Sequence, residues 1–393
     1  MTVRPLVGFA ALTIAALSLS GCVANTPGAE ALTVDITDDS CAVSTATAPS
    51  GAITFSATNN GTAVNEFEIL AQDKLRIVGE KENITPGQTV DYVIQLEPGT
   101  YYTECKLGMV GAGIGTTEFT VTGETGAVDA DEQERTDAAV TNYVSYVKDQ
   151  VGELVTAVDT FAEAYASGDD DTARSLFPTT RVHYERIEPT AEAFGDLDPQ
   201  LDFREPMAEE DGIEFTGFHR IEKDLWAPEG FTPSSPAERR VLADGLIADV
   251  GTLYDLVYSD DFTVSLSDIS NGAIGLLDEV AASKITGEED EFSHTDLWDF
   301  QANVEGASVA YGNVREIAKA SGDDGSELVD DIDEQFENLN FLLAQHGSLT
   351  DGFAYYDDLT PEQIKELSDG INALAEPLAV LTHTVLDIAE PTE

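Results

Sequence analysis

Two hydrophobic periods divide this chain. Between residues 31 and 123 apolar and polar positions alternate with period two, as in Leu32-Thr33-Val34-Asp35-Ile36, Ile53-Thr54-Phe55-Ser56 and Glu118-Phe119-Thr120-Val121-Thr122. That is the pattern of half-buried strands. Asn59-Asn60-Gly61, Pro86-Gly87 and Glu97-Pro98-Gly99 supply the turns between them. Short strands at this spacing predict a small all-β sandwich over 31–123. Residues 124–135 are acidic and contain Gly and Ala, a linker or helix lead-in. From residue 136 the period becomes helical: Val140, Tyr143, Val144 and Val147, then Val151, Leu154, Val155 and Val158, form one apolar stripe. Ser235-Pro236-Ala237-Glu238 and Thr360-Pro361-Glu362-Gln363 each place a capping hydroxyl, a proline at the first helical position and an acid or amide at the third. Helical runs are predicted at 236–258, 267–285, 294–320, 325–345 and 361–388. The fold class is therefore multidomain, a β-sandwich followed by an all-α domain over 136–393 built as two packed helix bundles.

The first residues set an expected location. Met1 to Arg4 is basic, and Pro5 to Leu19 is an apolar run too short for a lasting membrane span. It ends in Leu19-Ser20-Gly21-Cys22, which resembles a bacterial lipobox. Residues 1–21 then read as a lipoprotein signal peptide, Cys22 as the lipidated residue and 22–30 as a tether. The mature protein is expected on the outer face of the bacterial cell membrane, lipid-anchored and extracytoplasmic.

Composition narrows the partners. The 75 acids outnumber 19 bases, for a formal charge of −56, which argues against nucleic acid and against anionic lipid surfaces. The same charge attracts cations and also serves solubility. With 42% hydrophobic residues the chain can fill folded cores.

Candidate chemistry lies in both halves. Cys41 and Cys105 remain in the mature chain, and an oxidising compartment favours their disulfide; a thiolate metal site with Glu66 or Glu68 is the alternative. All five histidines, at 183, 219, 294, 346 and 383, fall in the helical half. A blue-copper centre needs two histidines beside its cysteine, so none can be built within the sandwich. In the helical half, Gly217-Phe218-His219-Arg220-Ile221-Glu222 places His219 and Glu222 three residues apart, on one helix face. Glu185 and Glu188 share the same spacing, and Asp202 follows nearby. Oxygen donors suit ferric iron, and imidazole suits iron, zinc and copper. The zinc-protease patterns H-E-x-x-H and H-x-x-E-H need a second histidine, and Lys223 stands where one would follow Glu222.

Four segments in order carry a family resemblance: Tyr184-Glu185-Arg186-Ile187-Glu188-Pro189, Phe194-Gly195-Asp196-Leu197-Asp198-Pro199, Gly217-Phe218-His219-Arg220-Ile221-Glu222-Lys223 and Ser293-His294-Thr295-Asp296-Leu297-Trp298-Asp299-Phe300. They look like the imelysin-like (peptidase M75-type) domain of EfeO iron-uptake proteins. The hairpin Gly99 to Met109, with Cys105 and Met109, resembles the strand and loop of a cupredoxin, and most EfeO proteins carry such a domain. Cys41, Glu66 and Cys105 look like the positions proposed as metal ligands there. The resemblance implies a non-enzymatic, iron-binding component of an EfeUOB-type uptake system. Its cargo would be ferric or ferrous iron, with copper or zinc as further candidates. Its partners would be a membrane iron permease and a dye-decolourising-type haem peroxidase. The implied metal set is His219 and Glu222 with Glu185, Glu188 and Asp202. A metallopeptidase of the imelysin type and a copper-binding lipoprotein are the alternatives.

Overall fold

The computed structural model describes residues 31–386 except 71, 73–76, 97, 109–112, 124–129, 196 and 283. The predicted leader, Cys22, its tether and Met109 lie outside the described residues. The sandwich strands are β1 (Leu32–Ile36), β2 (Cys41–Val43), β3 (Thr47–Pro49), β4 (Gly51–Asn59), β5 (Asn65–Leu70), β6 (Ile77–Ile84), β7 (Thr89–Leu96), β8 (Gly99–Leu107) and β9 (Ile114–Thr122). They form a four-stranded sheet in the order β2-β1-β4-β7 and a five-stranded sheet in the order β3-β9-β8-β5-β6. The alternation read from the sequence is what fills the space between them. Val34, Ile36, Ile53, Phe55, Phe119 and Val121 are all buried, and the Phe55 ring packs against Phe67 and Phe119 with centroids 5.2 and 5.6 Å apart. A Cys41–Cys105 disulfide ties β2 of one sheet to β8 of the other.

The helical part contains α1 (Ala130–Ser167), α2 (Asp170–Glu185), α3 (Glu188–Glu192), α4 (Leu197–Leu201), α5 (Glu205–Asp211), α6 (Gly217–Trp226), α7 (Pro236–Val257), α8 (Leu266–Ala282), α9 (Asp296–Ala320), α10 (Asp323–Leu343), a two-strand ribbon of β10 (Gly347–Ser348) and β11 (Gly352–Phe353), α11 (Pro361–Leu378) and α12 (Leu381–Val385). One bundle groups α1, α2, α6 and α7; the other groups α8, α9, α10 and α11. Helix α9 packs against both, so the two bundles share one hydrophobic core. Both predicted capping boxes form, Ser235 with Glu238 and Thr360 with Gln363. Two boundaries differ from the pattern. Helix α1 begins at Ala130, within the 124–135 segment read as a linker or helix lead-in. The run predicted over 361–388 breaks after Leu378 and resumes as the short helix α12.

The domains meet where β7 approaches α8. Gln95 donates its backbone N–H to Ser267 Oγ at 2.7 Å, Asn271 Nδ2 donates to the Val93 carbonyl at 2.9 Å, and Lys81 lies 3.3 Å from Asp278.

Candidate metal centre

Helix α6 begins at Gly217, and no other residue type fits there. Its φ of 73° is in the left-handed region, and an added Cβ would collide with the Leu201 carbonyl. That close approach brings α6 against the end of α4 and sets His219 beside Asp202. His219, Glu222, Asp202 and, from the loop before α9, Glu289 and Asp290 are all buried.

His219 and Glu222 face each other. His219 Nδ1 lies 3.1 Å from Glu222 Oε2, while Glu222 Oε1 accepts the backbone N–H groups of Phe292 and Ser293 at 2.9 and 2.7 Å. The other imidazole nitrogen, Nε2, has no hydrogen-bond partner and is 3.5 Å from both Asp202 Oδ1 and Glu289 Oε1. Two overlapping groups therefore converge closely enough to hold a metal ion: Asp202, His219 and Glu289 on the Nε2 side, and His219, Glu222 and Asp290 on the Nδ1 side. Burial and Arg181 pull the His219 pKa down, but Asp202, the hydrogen bond with Glu222 and the nearby Glu289 carboxylate outweigh them and hold it at about 10.

Arg181 of α2 is the internal counter-charge. It is fully buried, with the Phe218 and Phe177 rings 5.5 and 5.9 Å from its guanidinium carbon. Its Nη1 donates to Asp202 Oδ1 and its Nη2 to Glu185 Oε1; Nη2 also reaches Glu289 Oε1 at 3.3 Å, and Nε donates to Asp299 Oδ2 at 2.9 Å. A buried charge persists only when paired in this way. Even so, burial first, and then Glu222, pushes the Asp290 carboxyl above its ordinary range; burial likewise raises Asp299, despite the nearby Arg181.

Glu185 and Glu188, expected beside the histidine, sit one layer away. Lys284 Nζ contacts Glu185 Oε2 at 2.5 Å and Glu188 Oε2 at 2.9 Å, and Asn303 Nδ2 donates to both carboxylates. Glu188 instead converges with Glu192 and Glu279. His183 lies apart, 3.3 Å from Gln150. Glu289, Asp290, Asp299, Arg181 and Lys284 are the site residues that sequence reasoning missed. The i,i+4 spacing of Arg181 and Glu185 was the one local signal available for them.

In the sandwich the favoured Cys41–Cys105 disulfide forms, and the alternative thiolate site with Glu66 or Glu68 does not. Cys105 pairs across strands with Phe67, and Glu66 with Lys106, so strand alternation puts Cys105 in the sandwich core and Glu66 on the opposite sheet face. The two thiols are consumed by the disulfide, and Glu66 converges instead with Glu80 and Glu82. Across β6, β5 and β8, Glu80, Glu68 and Glu104 stand directly opposite one another, an arrangement that like charges oppose. Lys106 Nζ, 2.6 Å from Glu68 Oε1, relieves part of it. Burial, then Glu80, pushes the Glu66 carboxyl well above its ordinary range.

Comparison with known proteins matches the two halves separately and together. The family model described as imelysin matches residues 139–381, and that of the cupredoxin-like domain matches residues 8–114. Proteins named iron uptake system component EfeO from Escherichia coli O157:H7, Escherichia coli K12 and Shigella flexneri are each 38% identical over 375 residues, covering 94% of this chain and 95% of the relative. The chain thus belongs to the EfeO family of iron uptake system components, with a cupredoxin-like sandwich followed by an imelysin domain.

Proposed function

We propose that this protein is the extracytoplasmic iron-binding component of an EfeUOB-type uptake system, capturing iron in its helical domain and passing it to a membrane permease. The observation that carries the reading is the unpartnered, buried His219 Nε2, 3.5 Å from one oxygen each of Asp202 and Glu289. A buried imidazole nitrogen beside two carboxylates is a metal-binding arrangement, and three protein ligands leave positions open for loading and release. Glu222 orients the imidazole from behind, and Asp290 extends the donor set. Iron is favoured over zinc or copper as cargo because the relatives are named for iron uptake. Transport is favoured over catalysis because the relatives are named as an iron uptake component and Lys223 stands where the zinc-peptidase pattern needs a second histidine.

Lipidation at Cys22 would keep the protein at the outer face of the membrane, next to the permease. Among the described residues no helix is long and apolar enough to cross a membrane. A dye-decolourising-type haem peroxidase of the same system is the further partner. Titration of the purified full chain with ferric citrate tests the site. Saturable binding that His219→Ala abolishes is expected, and equal binding by the variant refutes the assignment.

A further inference from the structure

The two carboxylate oxygens that face His219 Nε2 are already engaged by another cation. Asp202 Oδ1 accepts from Arg181 Nη1, and Glu289 Oε1 lies 3.3 Å from Arg181 Nη2; these same atoms each lie 3.5 Å from the histidine nitrogen. We propose that Arg181 is a tethered competitor of the cargo ion, a residue that sets the affinity of the site by holding the oxygens the ion needs. The inference rests on the reading of Asp202, His219 and Glu289 as ligands.

The guanidinium is not free to leave. Its Nε is fixed on Asp299 at 2.9 Å, the Phe218 and Phe177 rings flank it, and it is fully buried. An arriving ion must therefore share Asp202 Oδ1 and Glu289 Oε1 with it, or turn the carboxylates to their other oxygens. Those are partly committed too: Asp202 Oδ2 lies 3.5 Å from Arg181 Nη2, and Glu289 Oε2 lies 3.8 Å from Arg204 Nε. Sharing weakens each metal–oxygen bond, because the arginine withdraws charge from the oxygen and its own positive charge opposes the ion in a dry interior. A protein that only stored metal would gain nothing from this arrangement. For one that must surrender its cargo, a resident cation that recaptures the ligand oxygens as the ion departs favours release. Lys284 Nζ is a more distant second cation, 3.9 Å from Glu289 Oε1, with its close contacts to Glu185 and Glu188 at 2.5 and 2.9 Å, so Arg181 is the nearer competitor.

The competitor role predicts the sign of an affinity change, and a merely structural role predicts the opposite sign. The double variant Arg181→Met, Asp299→Asn removes the guanidinium together with one acid that would be left unpaired. Ferric ion supplied as citrate to the full chain should bind it roughly tenfold or more tighter than wild type, the value of one charged hydrogen bond. Transfer of the ion to a stronger chelator should slow correspondingly. Arg181→Lys, whose point charge cannot bridge both oxygens, should tighten binding several-fold and keeps a cation in the cage should the double variant melt early. Equal or weaker binding by variants that retain the wild-type melting curve overturns the proposal. Indistinguishable binding by wild type and His219→Ala overturns the ligand reading itself, whatever Arg181 does.

Discussion

His219 Nδ1 stands 3.1 Å from Glu222 Oε2, so these two side chains hold each other and leave the opposite ring nitrogen facing Asp202 and Glu289. Glu222 also accepts two backbone N–H groups from the loop that carries Glu289 and Asp290. One carboxylate thereby aims the imidazole and fixes the segment that brings the other acids. Glu222→Ala leaves two donors and a buried histidine without their partner. It should cost about 3 kcal/mol or more in urea unfolding of the metal-free protein. It should also weaken ferric binding. Glu222→Gln keeps one acceptor and should recover most of the stability while affinity stays reduced. A Glu222→Ala variant as stable as wild type would show that the loop is held by other contacts.

The raised pKa of His219 fixes the pH dependence. Its folded value of about 10 lies above the ordinary 6.5, so the residue is protonated at neutral pH in the metal-free protein. A metal on Nε2 must displace that proton. Ferric or zinc affinity should therefore rise with pH by about one logarithmic unit per pH unit between pH 6.5 and 8.5, with about one proton released per ion bound. Calorimetry in two buffers of different ionisation enthalpy measures the release directly. Affinity that is flat across this window would mean that the imidazole is not a ligand.

The same groups reverse sign for stability. His219 contributes stability that is complete below pH 6.5 and lost as pH rises through about 10. Asp290 and Asp299, whose carboxyls are raised first by burial, lose their contribution in the same direction, starting from the ordinary carboxylate range. Glu289 runs the other way: burial opposes its ionisation, but Lys284, His219 and Arg181 outweigh it and lower its pKa, so its stabilisation fades only in acid. The metal-free chain should melt at a lower temperature at pH 8.5 than at pH 6, and ferric ion should raise the melting temperature more at the higher pH. A melting temperature that climbs over this range without metal would contradict the buried-charge account.

How much of this was legible in the sequence depends on distance along the chain. The alternation that buries Phe55 and Phe119 and the caps at Ser235 and Thr360 are local patterns, and each forms. The His219–Glu222 spacing is also local, and the two side chains do share a buried helix face, 3.1 Å apart. The partners are not local. Arg181 finds Asp299 across 118 residues and Glu289 across 108, and Lys284 finds Glu185 across 99. In a chain with 75 acids, nothing about Glu289 distinguishes it in sequence from a solvated surface residue. Glu185 and Glu188 were placed beside His219 because their spacing permitted it; a distant lysine took them instead. Parity along β8 carried more than was read from it. Cys105 lies between Glu104 and Lys106, so a glutamate on the outer face of the sheet could not join its sulfur without breaking the alternation.

The disulfide makes the two domains separately testable. Cys41–Cys105 closes a sequence separation of 64 residues and ties the two sheets of the sandwich together, whereas His219 belongs to the helical part. Cys41→Ala with Cys105→Ala should destabilise the sandwich by about 2–5 kcal/mol. Ferric affinity at the His219 centre should stay within about twofold. Calorimetric melting should show one early transition from the sandwich and one near the wild-type position from the helical core. A large loss of ferric affinity in the double variant would show that the sandwich shapes the helical centre.

Gly217 is the least conspicuous residue in the site and the most constrained. Its left-handed φ of 73° costs a side-chain-bearing residue about 1–3 kcal/mol by itself, and the added Cβ meets the Leu201 carbonyl, which belongs to the backbone and cannot swing aside. Relief requires α6 to move away from the end of α4, and Asp202 is the next residue after Leu201. Gly217→Ala should therefore separate His219 Nε2 from Asp202 as well as lower stability. Ferric affinity should fall at least tenfold even under conditions where the variant remains fully folded, because a small displacement between ligands is costly at a metal centre. Gly212, at the end of α5, has a similar φ of 67° but open space around its Cβ. Gly212→Ala thus pays the backbone cost without moving α6, and should lower the melting temperature while leaving ferric affinity as in wild type. If both alanine variants bind ferric ion normally, the tight approach of α6 to α4 does not set the geometry of the centre.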